Sequence, residues 1–421
     1  MRFRRKIAAA IFSLVMTLVL TGSCLAQQVT LRAATWDGGQ GLEIIKMVFQ
    51  EFEKLNPDIR IEVESFSSYN DRMVLQFTTG NAPDIFMMSR DWQFIPFVEA
   101  GFVEPLNEYM ERDGYDPTLI FYPAILSAHE LDGKYYSLPK DMASAATYYN
   151  SELFAETGLP DPDPLWNWSD FVTAAQRLTR DRNGDGVPDQ YGYYVNLLDV
   201  WATYPFIYSN GGGFLNPEKD RASGYVNSPE TIGSIEALMS LVESGYAATP
   251  QSVEQFGGTT QAFLNDNLAM MTTGPWSMST FESAGKSFAT VMNPQMKQPA
   301  SVHASAGWAI SAYTPHKEEA WKVLKFITGE VGHRIMAETG WALPAVPAVA
   351  DELGYTSIPT KRAFYHALEY SKLLPGGLLA TWQEDVGDFL GEAFQAIMNG
   401  TMAVTSALEE AARRIDAALR D

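Results

Sequence analysis

The chain has 421 residues, of which 46% are hydrophobic and 19% charged, and acidic side chains outnumber basic ones by 51 to 30. A chain of this length exceeds one ordinary hydrophobic core, so the length predicts two or three domains. The formal net charge of −21 excludes partners with a dense negative charge. Neither a nucleic acid nor an anionic lipid surface is therefore expected as a partner.

The first 26 residues have the pattern of a secretory signal peptide. A basic start precedes an apolar run over residues 7–20, which is too short for a stable membrane anchor, and small residues suited to cleavage after Ala26 follow. We therefore expect a periplasmic or extracellular protein. Cys24, the only cysteine, would be removed with this segment. The alternative is a lipid anchor on Cys24, although the apolar Leu20 lies one position too far upstream for the usual lipidation signal.

Three strands alternate with two helices at the start of the mature chain. The apolar patterns predict strand, helix, strand, helix and strand, in that order, over residues 29–36, 42–56, 59–66, 71–81 and 83–89. This order predicts a parallel sheet with right-handed crossovers. Ligands bind beyond the carboxyl ends of the strands in such sheets, which here are residues 36–38, 67–70 and 89–91.

Longer helices and short strands make up the rest of the chain. Strands are predicted over residues 137–150, 191–196, 287–293 and 307–313. Helices are predicted over residues 168–180, 228–245 and 318–329, and the part beyond residue 360 is expected to be almost entirely helical. Ser169 and Ser228 are the expected N-caps of the first two of these helices. The segment NGGGF follows a helical stretch, so it indicates a helix end rather than a phosphate-binding loop.

Seven segments, taken together and in this order, carry a family resemblance. They are GNAPDIFMMS (80–89), LPKDMASAATYYNSELFAETGL (138–159), WNWSDFVTAAQRLTRDRNGDGVPDQYG (166–192), NGGGFL (210–215), FLNDNLAMMTTGPW (263–276), GWAIS (307–311) and EEAWKVLKFITG (318–329). The mature chain resembles the extracellular solute-binding proteins of carbohydrate ABC transporters, the family 1 group that includes maltose-binding protein.

The resemblance implies an α/β protein with the two-lobed type II periplasmic-binding-protein fold, in which parallel-rich sheets are flanked by helices and a hinge joins the lobes. On this basis residues 27–140 and 277–340 are expected to form the first lobe, and residues 141–276 and 341–421 the second. The lobes would close on a sugar and present it to a membrane permease. The resemblance also implies a monomer without enzymatic activity, and the sequence contains no Gly-x-Ser-x-Gly or His-Glu-x-x-His motif.

A sugar site needs flat aromatic rings for the C–H faces of the ligand and fixed polar groups for its hydroxyls. The candidates lie at strand ends or near the expected crossings between lobes, and they are Trp36, Asp37, Tyr69, Asn70, Ser89, Arg90, Asp91, Asp141, Tyr148, Trp201, Asn210, Trp276, Trp308 and Trp341. Trp276, in the segment expected to hold the return crossing, is the main stacking candidate. Gly274 would let the backbone approach the ligand closely, and Pro275 fixes the turn.

Several of these candidates have an alternative structural interpretation. Trp36 and Trp341 could pack on neighbouring elements, and Asn70 could cap a helix. Arg90 could pair with Asp91 on the surface, and Asp141 could form a hinge ion pair with Lys140. A strand directs Tyr148 and Tyr149 to opposite faces, so at most one of them would face the cleft.

The segment DRNGDGVPDQYG, residues 181–192, has the oxygen spacing of a calcium-binding loop. Asp181, Asn183, Asp185, Val187 and Asp189 match loop positions 1, 3, 5, 7 and 9, but position 12 is Gly192 instead of a bidentate glutamate. The alternative is a turn in which Asn183 and Asp185 bond their own backbone. A calcium ion here would be structural, because the loop is remote from the strand ends. No other cofactor is expected.

Two other functions remain open on sequence grounds. The same fold could bind a polyol, a glycerophosphodiester or an amine. An amine would suit Asp37, Asp91 and Asp141, whereas a phosphate would need several basic residues and only Arg90 is placed near the strand ends. A secreted glycan-active enzyme or a lectin is the other alternative.

Overall fold

The computed structural model describes residues 28–420, so the predicted signal peptide and Cys24 lie outside the described residues. Within this range no helix combines the length and the apolar character that a membrane crossing requires.

The strands are short, and most of them lie in the first 150 residues or between residues 270 and 310. In chain order they are β1 Val29–Thr35, β2 Ile59–Ser65, β3 Ile85–Ser89, β4 Glu130–Leu131, β5 Lys134–Tyr135, β6 Leu138–Pro139, β7 Ala143–Ser144, β8 Ala146–Asn150, β9 Tyr193–Tyr194, β10 Ala247–Ala248, β11 Met270–Thr273, β12 Phe288–Val291, β13 Ser301–Ala304, β14 Ala306–Ile310 and β15 Ser371–Leu373.

The helices lie between these strands and at the carboxyl terminus. In chain order they are α1 Gly39–Leu55, α2 Tyr69–Thr78, α3 Ile95–Glu99, α4 Asn107–Asp113, α5 Pro123–Leu126, α6 Ser151–Glu156, α7 Trp168–Leu178, α8 Val200–Ser209, α9 Pro229–Glu243, α10 Pro250–Glu254, α11 Thr259–Leu264, α12 Met278–Ser283, α13 Lys317–Ile327, α14 Glu330–Glu338, α15 Pro347–Glu352, α16 Arg362–Leu368, α17 Asp388–Met398 and α18 Val404–Ala418.

The first lobe is built on a five-stranded sheet with the strand order β2-β1-β3-β14-β6. β1 runs parallel to β2 and β3, as the sequence predicts, and β14 runs antiparallel to β3 and β6. α1 packs against β2, α13 and α14 through the apolar face that includes Ile45, Phe49 and Phe52. The parallel register aligns Thr35 with Ser65, so the carboxyl ends of β1 and β2 lie at the same edge of the sheet.

The described part of the second lobe contains three small sheets, with the orders β11-β8-β12, β15-β13-β7 and β10-β9, and the two strands of the last are parallel. β8 is antiparallel to both of its neighbours, and β13 is parallel to β15 but antiparallel to β7. Phe171 of α7 packs edge-on against Tyr193 in the core of this lobe, with 4.8 Å between ring centroids. The sheets of the second lobe therefore mix parallel and antiparallel pairs, and the expected α/β fold with two lobes is confirmed.

The chain passes between the lobes three times. The first crossing lies at residues 140–142 between β6 and β7, the second at Ser305 between β13 and β14, and the third between α15 and α16. The predicted boundary at residue 277 is wrong, because β12 pairs with β8 and β13 pairs with β7. Trp276 therefore lies within the second lobe and not at a crossing. The boundary predicted at residue 341 also falls too early, because α15 still packs on α14.

Local signals explain several of the helix ends. Ser228 caps α9 as predicted, because its hydroxyl accepts the Thr231 N–H at 3.1 Å. Asn167, not Ser169, caps α7 by accepting the Asp170 N–H at 3.0 Å. The NGGGF segment directly follows α8, as expected for a helix end. The part beyond residue 360 is less helical than predicted, since β15 and irregular turns separate α16 from α17.

Candidate functional site

A cavity of about 610 Å³ lies between the lobes, at the carboxyl ends of β1, β2 and β3. First-lobe residues form most of its lining, and the second lobe contributes two tryptophans. The lining residues are Trp36, Ser67, Ser68, Tyr69, Asn70, Asp71, Ser89, Asp91, Trp92, Gln93, Trp201 and Trp276. The cavity therefore lies where strand order alone places a ligand site, and both lobes can contact its contents.

Aromatic rings line the cavity from both sides. In the first lobe Trp36 meets Tyr69 edge to face, with 5.2 Å between ring centroids. In the second lobe Trp201 and Trp276 meet in the same way at 4.9 Å. Trp276 is 52% exposed and Trp92 is 68% exposed, which is unusual for such large apolar side chains. Exposed rings at a cavity offer flat apolar surface to a ligand.

The Trp276 ring depends on the glycine two residues before it. A Cβ atom on Gly274 would lie 2.0 Å from the ring, so only glycine leaves room for it to fold back over the chain. The glycine therefore makes room for the tryptophan, and the interpretation in which Gly274 lets the backbone approach the ligand stays a prediction.

Tyr69 belongs to the cavity lining and also to the packed sheet edge. Its hydroxyl donates to the Met87 carbonyl at 2.7 Å and lies 3.2 Å from the Ala34 carbonyl. Burial raises the pKa of Tyr69 well above its ordinary value. Because the hydroxyl is held by the backbone of β1 and β3, the ring contributes surface to the cavity.

A hydrogen-bonded wall of polar side chains completes the first-lobe side of the cavity. The Ser89 N–H donates to Gln93 Oε1 at 3.0 Å, which directs the Gln93 amide nitrogen to Asn70 Oδ1. The Ser89 hydroxyl donates to Asp91 Oδ1. Burial raises the pKa of Asp91, while this hydrogen bond acts in the opposite direction. The side chains of this wall therefore hold one another in place before any ligand arrives.

The hinge contains a buried ion cluster beside the cavity. Lys140 Nζ lies 3.2 Å from Asp37 Oδ2 and 3.3 Å from Asp141 Oδ2, and its side chain is only 3% exposed. Burial disfavours the ammonium, but the two carboxylates hold the pKa of Lys140 above its ordinary value. Burial raises the pKa of Asp141, whose Oδ1 accepts the Ala306 N–H at 3.1 Å. Asp37 and Asp141 are thus occupied by Lys140 at the crossing and do not line the cavity.

Five further candidates take up packing or bonding positions outside the cavity lining. Tyr148 is fully buried and donates its hydroxyl to the Gly274 carbonyl at 2.9 Å. Trp308 is 2% exposed and packs edge-on against Phe49, because β14 turns this side chain into the core of the first lobe.

Asn210 and Trp341 are held by neighbouring helices. Asn210 donates to the Glu230 carbonyl at 2.7 Å, which joins the end of α8 to the start of α9. The Trp341 ring lies directly on Gly41 of α1, so its packing interpretation is the correct one.

Arg90 is directed away from the cavity. Its Nε donates to the Gly377 carbonyl at 2.9 Å, its guanidinium contacts the Glu130 carbonyl, and it lies 4.6 Å from the centre of the Phe94 ring. The alternative interpretation, a surface pair with Asp91, does not match these contacts either. Burial lowers the pKa of Arg90.

Five lining residues were not among the candidates that the sequence predicts, although most of them lie close to the predicted strand ends. Ser67 and Ser68 lie in the strand-end segment after β2, and Trp92 and Gln93 follow the third strand end by a few residues. Residues 90–94 form a single turn of π-helix, and this turn brings Trp92 and Gln93 to the cavity. Asp71, in the first turn of α2, also lines the cavity.

In the loop over residues 181–192 the residues 181–187 are exposed, and the loop lies apart from the cavity lining. Asp181 accepts the Gly184 N–H at 2.7 Å and the Gly186 N–H at 2.9 Å, and these bonds lower the pKa of Asp181. Asn183 and Asp185 accept the N–H groups two residues further on, each at 2.8 Å. Gly184 and Gly186 have φ angles of 78° and 89°. These are the bonds and angles of the turn interpretation. Asp189 accepts the Arg182 N–H at 2.8 Å.

Across residues 28–420 no group of three or more His, Cys, Asp or Glu side chains is placed to hold a metal ion. The oxygens of Asp181, Asn183 and Asp185 are engaged by backbone N–H groups, and the glutamate of a calcium loop is replaced by Gly192. Calcium at this loop stays a prediction from spacing.

Comparison with known proteins gives matches over nearly the whole described chain. A protein of Brucella abortus that is named only as a binding protein is 25% identical over 425 residues, which cover 99% of each chain. The maltotriose-binding protein of Pyrococcus abyssi is 23% identical over 344 residues, covering 79% of this chain and 70% of its own.

Solved structures with a similar fold belong to the same kind of protein. The structure of an ABC substrate-binding protein of Listeria monocytogenes in complex with cycloalternan has a TM-score of 0.80 to this chain, at 25% identity, and covers 93% of this chain and 98% of its own. A family model for the bacterial extracellular solute-binding protein matches residues 37–333. Since that match spans well over half of the chain, the protein belongs to the family of bacterial extracellular solute-binding proteins.

Proposed function

We propose that the protein captures a saccharide between its lobes and delivers it to the membrane permease of an ABC importer. The observation that carries this proposal is the cavity itself, in which aromatic rings from both lobes face a hydrogen-bonded polar wall. Sugars present apolar faces ringed by hydroxyls, and this combination of surfaces complements them. The names of the Pyrococcus and Listeria relatives, which concern maltotriose and cycloalternan, support the same class of ligand.

Transport without chemical change follows from the same proposal. The chain acts as an exported monomer, periplasmic or extracellular, and closes around its ligand without turning it over. A ligand favours closure only by contacting both lobes, and a saccharide between Trp36 and Trp276 would do so. The rival functions are the capture of a non-sugar solute and a glycan-active enzyme or lectin.

A ligand screen on the purified mature chain tests the proposal. Neutral saccharides of one to four units, polyols, amines and glycerophosphodiesters are compared by thermal shift, and hits are confirmed by calorimetry. We expect at least one saccharide to raise the melting temperature and to be recovered unchanged. Stabilisation only by non-saccharides would contradict the proposal, and so would turnover of the saccharide.

Trp276→Ala tests the stacking surface once a saccharide is found. Removal of the ring should raise Kd about tenfold, equal to about 1.4 kcal/mol, because half of the side chain is free to contact ligand. Tyr313→Ala is the matched control, since Tyr313 is 58% exposed and lies beyond β14 at the opposite edge of the sheet. Equal affinity in wild type and Trp276→Ala would exclude Trp276 as a contact.

A further inference from the structure

The charged residues of the cavity all have the same sign. Among the described residues that line it, only Asp71 and Asp91 carry a formal charge. Asp91 is the better placed of the two, because its carboxylate is fixed by the Ser89 hydroxyl within the polar wall. An ion that enters the cavity would therefore meet negative charge.

The basic residues nearest to the cavity in sequence are engaged elsewhere. The Arg90 guanidinium donates to the carbonyls of Gly377 and Glu130. Lys140 is buried between two carboxylates in the hinge, and the Arg72 guanidinium lies 5.5 Å from the centre of the Phe66 ring. None of these three lines the cavity, so no cation from residues 28–420 compensates there for the carboxylates.

The hydrogen bonds within the polar wall determine which of its atoms are free to bond a ligand. Because Gln93 Oε1 accepts the Ser89 N–H, the Gln93 amide must donate to Asn70 Oδ1. The Asn70 amide nitrogen is thereby left without a partner among the described residues and can donate to a hydroxyl oxygen. The wall offers one amide donor and one carboxylate acceptor, which suits hydroxyl groups.

We propose that the cleft selects electroneutral saccharides and rejects anionic ones, such as uronates and phosphorylated sugars, and that Asp91 is the specificity-determining residue. This inference rests on the proposed function and names the substrate class of the same site. A carboxylate or phosphate brought next to Asp91 is repelled in a partly desolvated site, whereas a hydroxyl donates to it. Asp91 would thus accept a hydrogen bond from a neutral saccharide and repel an anionic one.

The test compares a neutral saccharide that binds the protein with the same saccharide oxidised at its primary hydroxyl to a carboxylate. Calorimetry at pH 7.5 and low salt gives both Kd values for each protein. In the wild type we expect the oxidised form to bind at least about tenfold more weakly. In Asp91→Asn we expect this ratio to fall several-fold, because the oxidised form gains affinity relative to the neutral one.

Asp58→Asn is the matched control, since Asp58 is exposed and lies at the amino end of β2, on the opposite edge of the same sheet. This variant should keep the wild-type ratio. If Asp91→Asn does not fold, the ratio of the two Kd values is measured again for the wild type at high salt. Salt screens the repulsion, so this ratio should decrease. A ratio that does not change with salt would then overturn the inference.

The outcomes separate the two proposals. If no saccharide binds, the proposed function fails and the inference fails with it. If neutral and oxidised saccharides bind the wild type equally well, the protein is a saccharide binder and only the inference is overturned. The same conclusion follows if Asp91→Asn weakens both ligands in parallel and leaves their ratio unchanged, because Asp91 would then be a contact without a role in charge selection.

Discussion

His303 shows what burial does to an ionisable side chain in this protein. It lies in β13, is only 4% exposed, and has its Nδ1 atom 2.7 Å from the Ser371 hydroxyl. Its Nε2 atom has no hydrogen-bond partner among the described residues. Burial lowers the pKa of His303 to about 4, so the folded chain holds this ring neutral where an unfolded chain would protonate it.

This difference predicts how stability depends on pH. The folded-state pKa lies below the unfolded value of about 6.5, so the unfolded state binds more protons between the two values. The contribution to stability is present above pH 6.5 and is lost as pH falls towards 4. When the pH is lowered from 7 to 5, the free energy of unfolding should therefore decrease by about 2 kcal/mol less in His303→Asn than in the wild type. Urea unfolding at the two pH values measures this difference. His366→Asn, at an exposed site, is the control, and identical pH profiles for His303→Asn and wild type would refute the prediction.

The sequence could locate the site but could not assign its individual side chains. The carboxyl ends of the first three strands were predicted, and the cavity lies there. Which residue of Ser89, Arg90, Asp91 and Trp92 faces the cavity depends on the π-helical turn over residues 90–94, which turns Arg90 inward and leaves Trp92 exposed. No periodicity in so short a segment reveals that turn, so Arg90 was a wrong candidate and Trp92 was missed.

Strand pairing was the other step that the sequence could not supply. The runs at 287–293 and 307–313 were both predicted as strands, and both predictions are confirmed with shorter bounds. The first pairs with β8 of the second lobe and the second with β3 of the first lobe. Such pairings join residues more than 100 positions apart, and local patterns contain no information about them. The crossing at Ser305 therefore had to come from the structure.

The loop over residues 181–192 forms a closed set of backbone-bonded turns between α7 and β9. Both carboxylate oxygens of Asp181 accept backbone N–H groups, so the side chain ties Gly184 and Gly186 together. Asn183, Asp185 and Asp189 are engaged in the same way. The turn is thus internally satisfied by its own side chains, and a cation would have to share or displace these bonds.

Asp181→Ala tests the loop. We expect this variant to melt at a lower temperature than the wild type, and by the same amount in EDTA as in millimolar calcium, because the lost bonds are to the backbone. On the turn interpretation, calcium and EDTA should leave the wild-type melting temperature unchanged. A rise in melting temperature with calcium in the wild type but not in Asp181→Ala would instead establish a structural calcium site. Asp58→Ala, in the other lobe, controls for the loss of an exposed carboxylate.

The two lobes touch directly beside the cavity, in addition to the three covalent crossings. The turn over residues 90–94 of the first lobe packs against residues 375–377 of the second. Arg90 donates to the Gly377 carbonyl at 2.9 Å, and a Cβ atom on Gly376 would lie 2.8 Å from the Asp91 carbonyl oxygen. Because Ser89 and Asp91 line the cavity, we expect this contact to couple the relative position of the lobes to the polar wall.

Gly377→Ala should therefore disturb the arrangement of the whole molecule while leaving each lobe folded. The added Cβ would lie 2.5 Å from Arg90 Cγ and 3.1 Å from the Arg90 carbonyl oxygen, so the Arg90 side chain and the contact between the two segments must shift to admit it. Overpacking of this kind costs about 1–3 kcal/mol, and the cost falls on the arrangement in which the two segments touch. If that arrangement is the one that binds ligand, the substitution lowers its population. The apparent Kd should then rise by about tenfold or more.

Two measurements on the purified chain check this prediction. Calorimetry gives the apparent Kd of the saccharide, and small-angle scattering gives the radius of gyration with and without it. We expect Gly377→Ala to bind more weakly and to show a smaller ligand-induced decrease in radius at a fixed ligand concentration. Gly391→Ala is the matched control, because Gly391 lies in α17 of the same lobe and a Cβ atom there meets nothing within 4 Å. Wild-type affinity and wild-type compaction in Gly377→Ala would show that the contact between Arg90 and Gly377 is independent of closure, and the coupling would then have to run through the hinge cluster of Asp37, Lys140 and Asp141.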